Sequence, residues 1–364
     1  MKKVKMILTN RFDPDVRVYK EAKYLVDNGL DVEILCWDRE SEYSKIKESV
    51  IDGIKIKRFF PYSEYGTGFK QLRPFVRFIN ECKEYLKNKE YQYLHCHDLD
   101  GVIAGYFIKN NYTKFIFDMH ENYEINGRNQ KIRYIVRFMV NFFQNKSDFI
   151  IYVNETQKNF ASNKNKRKFI CIPNYPDIQN YAVCKKIKSD NLRVSYIGAV
   201  RQYNELKNLM DACKEMSNVK IAIHGAGVAY KQLNKIKDDY NNVVVTGRYE
   251  FTESAKFYSE ADLLYVLYPT TSMQYTTSYP VKLYEAIVTK TPVIVGKGTV
   301  LNNFVNKYGI GFTVDGSNIN EIRDLIEYLN NNRNVINEKI RNLEKIQYDY
   351  SWNDVVKNLD KIYG

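Results

Sequence analysis

The chain has 364 residues, 44% of them hydrophobic, with 55 Lys and Arg against 43 Asp and Glu, a formal net charge of +12 and a pI near 9.1. That length allows two domains of ordinary size, and the lack of any run of 18 or more apolar residues argues against a membrane-spanning helix. The positive charge favours anionic partners, either phosphorylated small molecules or an anionic membrane face; nucleic acid is disfavoured, because the basic residues are dispersed and form no recognisable module. Six cysteines (Cys36, Cys82, Cys96, Cys171, Cys184, Cys213) show no C-x-x-C spacing and read as reduced thiols, without structural zinc. The N-terminus, MKKVKMILTN, enters a strand rather than a signal peptide, so a cytoplasmic location is expected.

Val4 to Leu8 reads as a strand, the following loop ends at Asp15, and Val16 to Asn28 reads as a helix with Val18, Ala22 and Leu25 on one face. With the strand Val32 to Cys36 this makes a β-α-β opening, its loop at the strand end where open α/β sheets bind ligands. No G-x-G-x-x-G follows, which argues against a dinucleotide oxidoreductase. A strand pair near Ile54 to Phe59 precedes a helix over Phe69 to Asn88. A strand at Tyr93-Leu94-His95-Cys96-His97 then gives way to Asp98-Leu99-Asp100-Gly101, a turn, and a helix from Val102 to Lys109. Lys114 to Phe117 forms another strand and runs into Asp118-Met119-His120-Glu121. Three of the four histidines thus sit at two strand ends. His97 and His120 would share one rim of a parallel sheet, suited either to bonding sugar hydroxyls or to a structural role. The triplets Asp13-Pro14-Asp15 and Asp98-Leu99-Asp100 read as polar loops, with a divalent-metal site as the alternative. Tyr123 to Lys146 places Ile132, Ile135, Val136, Met139 and Phe143 on one helical face. It is either a core helix with a solvated basic edge or a face resting on an anionic bilayer, with Phe138 and Phe142 dipping in.

Strands at Phe149 to Val153 and Phe169 to Ile172 complete a first domain, residues 1–176; the patternless stretch 177–191 reads as a linker. A second α/β domain spans 192–345. Its strand Arg193 to Ile197 turns through Gly198-Ala199-Val200-Arg201 into a helix around Leu206 to Met216, where backbone N–H groups and Arg201 suit a phosphate. Val219 to His224 leads into Gly225-Ala226-Gly227, Val243 to Thr246 into Gly247-Arg248-Tyr249, and Leu263 to Leu267 into a polar loop ending at Thr277. Ser278 to Gly296 follows, SYPVKLYEAIVTKTPVIVG: Pro280 opens a short helix, Leu283, Tyr284, Ile287 and Val288 form its buried stripe, and Lys282 and Glu285 share the accessible face. The Glu285 carboxylate suits two vicinal hydroxyls, as a nucleotide ribose presents them; a plain solvated glutamate is the alternative. Ile310 to Val314 is a strand, Asn318 to Asn331 a helix, and the tail, 346–364, a helix with Trp352, Val355, Val356, Leu359 and Ile362 on one face.

The run P-x-K-x-x-E-A followed by P-V-I resembles the donor-site signature of retaining glycosyltransferases with the GT-B fold, especially glycosyltransferase family 4. D-P-D-V-R-V-Y-K-E-A, H-x-H-D-L-D, D-x-H-E and the G-x-G turn at Gly225 and Gly227 are similar to further segments of that family. The resemblance implies two Rossmann-like domains facing across a cleft, the first binding acceptor and the second a nucleotide sugar, with the final helix packing back on the first. It implies donor contacts at Glu285, Gly198, Arg201, Gly225, Gly227, Gly247, Tyr249, Thr277 and Ser278, and acceptor contacts at Asp15, Arg17, His97, Asp98 and His120. A helix cap and a surface arginine are the alternatives for Asp15 and Arg17. Catalytic roles fall on His120, Glu121, Arg201 and Lys282, and the family's lysine a few residues after the Gly198 turn falls nearest to Lys207. Thr277 departs from the family, standing where the first Glu of an E-x7-E pattern is expected. The activity implied is transfer of a hexose-type sugar from a UDP- or GDP-sugar to a hydroxyl of a glycan or lipid-linked saccharide in cell-surface polysaccharide synthesis. Anomeric configuration is retained, no metal cofactor is needed, and peripheral membrane contact is allowed. A nucleotide-sugar epimerase on the same fold, or a non-catalytic sugar- or membrane-binding protein, are the other readings.

Overall fold

Apolar strands alternating with amphipathic helices build two separate α/β units: Met1–Asn174 together with Val355–Gly364, and Tyr175–Asp354. The computed structural model describes residues 1–13, 15–64, 66–121, 123, 130–154, 157, 166–181, 184–270 and 276–364. Pro14 of the first Asp triplet, the expected helical stretch 124–129, Glu155 at the expected end of its strand, part of the expected linker (182–183) and 271–275 of the polar loop before Thr277 lie outside them.

In the first unit the strands are β1 (Lys3–Leu8), β2 (Asp31–Trp37), β3 (Glu48–Ile51), β4 (Ile54–Phe59), β5 (Tyr93–His97), β6 (Lys114–Met119), β7 (Phe149–Tyr152) and β8 (Phe169–Cys171). They form one sheet in the order β3-β4-β2-β1-β5-β6-β7-β8, parallel throughout except that β3 runs antiparallel to β4. Near-continuous apolar runs such as Phe115-Ile116-Phe117 suit strands covered on both faces. The register sets His97 opposite Asp118, so the ends of β5 and β6 share a rim. The helices are α1 (Val16–Asp27), α2 (Leu72–Leu86), α3 (Asp98–Ile108) and α4 (Gln130–Lys146). Phe78 and Ile79 of α2, Val102 and Ala104 of α3, and Val136, Val140 and Phe143 of α4 pack on the sheet in one core.

Three local readings change here. Helix α3 begins at Asp98 rather than Val102, so the expected turn is its first turn, entered through a positive φ of 63° at Asp98. The buried stripe of α4 runs through Val136, Val140 and Phe143 at four- and three-residue spacing, which turns Ile132 and Ile135 outward. The tail breaks into Trp352–Val355, a 3-10 turn Val356–Leu359 and Asp360–Tyr363. Its last residues belong to the first unit, where Asn358 donates to the Cys171 carbonyl and the Tyr363 hydroxyl meets His95 Nδ1 at 2.9 Å.

The second unit carries β9 (Leu192–Ile197), β10 (Val219–His224), β11 (Val243–Gly247), β12 (Leu263–Val266), β13 (Val293–Gly296) and β14 (Gly311–Val314), all parallel, in the order β11-β10-β9-β12-β13-β14. Order reverses beside β9, the kind of switch point at which open α/β sheets bind ligands. The stretch expected as a linker contributes the turn Ile178–Tyr181, whose Tyr181 is buried in this unit's core. Pro280 is the N-cap of helix Val281–Val288 rather than its first residue, its ψ of 148° keeping it extended. Helices Val300–Tyr308 and Arg333–Ile346 were not expected from the pattern.

Candidate active site

At the ends of β5 and β6 a buried charged network gathers around Asp118. Its carboxylate accepts from Arg17 twice, Nε to Oδ2 at 3.1 Å and Nη2 to Oδ1 at 2.8 Å, while Arg17 Nη1 donates to the Ile172 carbonyl at 2.9 Å. Arg17 Nη2 also lies 2.9 Å from Glu21 Oε1. His97 Nδ1 and His120 Nε2 stand 3.1 and 2.9 Å from Asp118 Oδ2, each donating to it, so the 3.3 Å between those two nitrogens is a contact between donors. His120 Nδ1 faces Asp98 Oδ2 at 3.2 Å, and the Tyr123 hydroxyl donates to Asp98 Oδ1 at 2.8 Å.

Burial works against every charge in this network, and the partners decide which survive. Arg17 and then His120 hold the Asp118 carboxyl well below its ordinary value, and Asp98 and Asp118 hold His120 well above its own. Burial, reinforced by His97, keeps His95 neutral, and burial raises Glu21 against the pull of Arg17. An imidazolium with both nitrogens donating to carboxylates has no lone pair for a general base. His120 acts instead as a fixed positive charge at the rim, its side chain 18% exposed beside the exposed Glu121. Ligand atoms of Glu21, His95, His97 and Asp118 lie within 4.8 Å of one another, a donor set of the kind that binds transition metals. Arg17 already bridges the two carboxylates, so a metal ion there would stand close to a guanidinium.

This geometry corrects several acceptor assignments. Arg17 and His97, 4% and 0% exposed, are internal partners of Asp118 and offer no surface to a saccharide. Asp15 is the N-cap of α1, accepting from the Val18 N–H at 3.3 Å. Asp98 and His120 keep exposed surface. Asp118 itself went unassigned, although a carboxylate closing the apolar run Phe115-Ile116-Phe117 has to find partners.

In the second unit three glycine turns converge at the ends of β9, β10 and β11. Gly225 has φ +134°, and a Cβ there would stand 1.9 Å from the Gly198 carbonyl oxygen, so this close approach requires glycine. Gly225 N donates to Gly247 O and Gly198 N to His224 O, both at 2.9 Å. A Cβ on Gly198 would lie 3.5 Å from Lys282 Cε and Nζ, which puts the Lys282 amine beside that turn. Lys282 Nζ sits 3.6 Å over the Tyr196 ring, a cation–π contact. Burial brings Lys282 down to about 7, Glu285 opposing the shift and Arg201 adding to it.

Glu285 is half-buried, accepting from the Tyr181 hydroxyl on Oε1 at 2.8 Å and from the Tyr258 hydroxyl on Oε2 at 2.9 Å. Tyr249 packs edge-on against Phe257 at 5.1 Å, and Phe257 stacks on His224 at 3.8 Å. Thr277 and Ser278 are half-buried just before the helix, and Arg201 is exposed. Lys282 and Glu285, expected on an accessible face, are thus both half-buried among neighbours from other elements. Lys207 drops out as a phosphate ligand, because Asp211, four residues on, takes its amine at 2.7 Å. Tyr181 and Tyr258, the partners of Glu285, were not anticipated.

Comparison with known proteins bears on both halves. Residues 15–179 match the model described as Glycosyltransferase Family 4, and residues 177–348 match that described as Glycosyl transferases group 1. An uncharacterized glycosyltransferase of Methanocaldococcus jannaschii is 25% identical over 233 residues, 62% of this chain and 62% of that relative's length. Among solved structures, sucrose-phosphate synthase of Thermosynechococcus elongatus superposes with a TM-score of 0.79 at 14% identity over 100% of this chain and 98% of that one. Anabaena HepE, in complex with UDP and glucose, gives 0.69 at 14% over 99% and 98%. A mutant of S. aureus TarM, in complex with Fondaparinux, alpha-GlcNAc-glycerol and UDP, gives 0.70 at 15% over 100% of each chain. Two matched models running between them from residue 15 to 348, on a shared fold, make this chain a member of the GT-B glycosyltransferases.

Proposed function

We propose that the protein transfers a hexose-type sugar, with retention, from a UDP- or GDP-sugar to a hydroxyl of a glycan or lipid-linked saccharide, in the synthesis of a cell-surface polysaccharide. One observation carries this reading: in the second unit a phenol-held carboxylate, Glu285, lies near two cations, Lys282 and Arg201, at the Gly198 turn. A carboxylate suits a ribose diol, and two cations suit the diphosphate that departs, without a metal ion. Similarity to HepE and TarM, each solved with UDP, is in keeping with this donor class. Acceptor binding falls to the first unit, where Asp98, His120 and Glu121 keep exposed surface.

Work at the inner face of a membrane fits the outer side of α4. Tyr134, Ile135 and Phe138 are 63, 60 and 73% exposed, on a helix that carries Lys131, Arg133, Arg137 and Lys146 and no acidic residue. No described helix is long and apolar enough to cross a membrane. The test is a panel of UDP- and GDP-sugars incubated with membrane lipid extracts in the presence of EDTA, read by product mass. Acceptor-dependent sugar addition is expected; acceptor-free isomerisation of the donor, or binding without turnover, would replace the transferase reading.

A further inference from the structure

We propose that Tyr181 and Tyr258 are positioning residues that fix the Glu285 carboxylate for a pair of vicinal hydroxyls, an inference that rests on the donor reading above. The two phenols come from separate elements, the turn Ile178–Tyr181 and the helix Ser254–Glu260, and bond different oxygens of one carboxylate, at 2.8 and 2.9 Å. Their rings meet edge-on, 5.8 Å apart at 84°, and both side chains are buried, 4% and 0% exposed. A phenol has one hydrogen to donate, and each gives it to Glu285. Burial and the carboxylate push both phenols well above their ordinary value, so both stay donors wherever the protein is folded.

The terminal torsion of a glutamate is broad, and a single hydrogen bond leaves the carboxylate free to swing. Two donors on opposite oxygens pin it. A carboxylate offers about four lone-pair positions, so one on each oxygen is left, and Glu285 is half-buried rather than closed off. Two remaining acceptors held at fixed separation match two adjacent hydroxyls better than one. The site should therefore read both ribose hydroxyls together, and removing a phenol should blur that reading while leaving the rest of the pocket intact.

Tyr265 supplies a control within the same unit: it is 1% exposed, and its hydroxyl has no hydrogen-bond partner among the described residues. Calorimetric binding of UDP, GDP and their 2′- and 3′-deoxy counterparts is measured on the full-length chain and on Y181F, Y258F and Y265F. Wild type is expected to prefer the ribonucleotides. Y181F and Y258F should each weaken ribonucleotide binding by about 5- to 20-fold, less than the full loss of one hydrogen bond to a charged group because the carboxylate stays in place, with deoxynucleotide binding nearly unchanged; Y265F should match wild type. If Y258F fails to fold, Y181F decides. Ribonucleotide preference unchanged in the tyrosine variants, or equal losses for both nucleotide classes, overturns the inference and leaves the donor reading standing. A wild-type chain that binds none of these nucleotides overturns the donor reading and the inference with it.

Discussion

The strand ends of the first unit and those of the second carry similar side chains and use them differently. Around Asp118, carboxylates, imidazoles and a guanidinium pair with one another out of solvent, Arg17 and Glu21 are left with almost no exposed surface, and both Glu21 oxygens, His95 Nε2 and His97 Nε2 have no hydrogen-bond partner among the described residues. Around Glu285 the hydrogen-bond donors are two neutral phenols, the carboxylate stays half-buried, and Lys282 is held near its titration point. Unused hydrogen-bonding capacity at a surface therefore separates the proposed donor site from the buried network better than residue type does.

Breaking the closed network should give the largest effect. Asp118→Asn leaves Arg17 and His120 without their shared counter-charge, and removing one member of a buried ion pair costs about 3–5 kcal/mol. For a unit of this size the thermal midpoint should fall by roughly 6–20 °C, while nucleotide binding by the folded variant changes less than about twofold. The pH dependence has two signs. Asp118, depressed in the fold, contributes stability above its ordinary value and loses it as pH falls through its lowered one. His120, raised in the fold, contributes fully below about 6.5 and loses it only as pH rises through its raised value, so the network is intact across neutrality. Thermal melts from pH 3 to 9 that show no acid-side loss specific to wild type would contradict this account.

Opening the comparison from the other side, Glu285→Ala removes the two acceptor positions left open to a ligand, together with the acceptor of the buried Tyr181 and Tyr258 hydroxyls. Nucleotide affinity should fall about 10- to 100-fold, the scale of one hydrogen bond to a charged group, with a smaller change in melting than Asp118→Asn produces, because the two hydroxyls left without an acceptor are neutral. Arg201→Ala should lower turnover more than binding if, as proposed, its charge serves the departing diphosphate. Wild-type values from both variants would remove Glu285 and Arg201 from the donor site.

The chain's alternating pattern made most strands legible, because apolar runs of four to six residues bounded by Gly, Asn or Asp have few other readings. Glu285, Lys282 and the glycine turns were legible for a different reason: their spacing along a short helix and at strand ends is local. Tyr181 was not, because its partner is 104 residues away and its own neighbours follow no period. Nor did a strand-end histidine announce its burial; His97 reads the same whether it faces solvent or Asp118. The helix Val300–Tyr308 did leave signals, Thr299 capping Asn302 N at 3.2 Å and Gly309 at φ +61°, the ordinary start and stop of a helix.

Lys282 sharpens the comparison through pH. Its amine titrates at about 7, and a diphosphate binds the protonated form better, so nucleotide affinity should be highest near pH 6 and fall by about tenfold for each unit well above 7. Binding should take up a proton in the middle of that range, visible as a buffer-dependent heat. Lys282→Ala should flatten the profile at the weaker, high-pH level. A wild-type affinity flat from pH 6 to 9 would mean that the amine does not meet the phosphates.

The smallest expected effect concerns the outer side of α4. Partial burial of Ile135 and Phe138 in a bilayer interface contributes about 1 kcal/mol each, and each nearby cation about as much on an anionic surface. Ile135→Ser with Phe138→Ser should weaken partition onto vesicles containing anionic lipid by about tenfold, with melting unchanged because both residues lie outside the core. Neutral vesicles should bind wild type more weakly than anionic ones do, because the cations contribute little there, and the variant more weakly still. A substitution of this kind touches neither Asp118 nor Glu285, so turnover on a soluble acceptor should stay at the wild-type level while turnover on a lipid-linked acceptor in vesicles falls. Equal loss on both acceptors would mean that the face stabilises the first unit rather than docking it, and the exposed apolar stripe would need another partner.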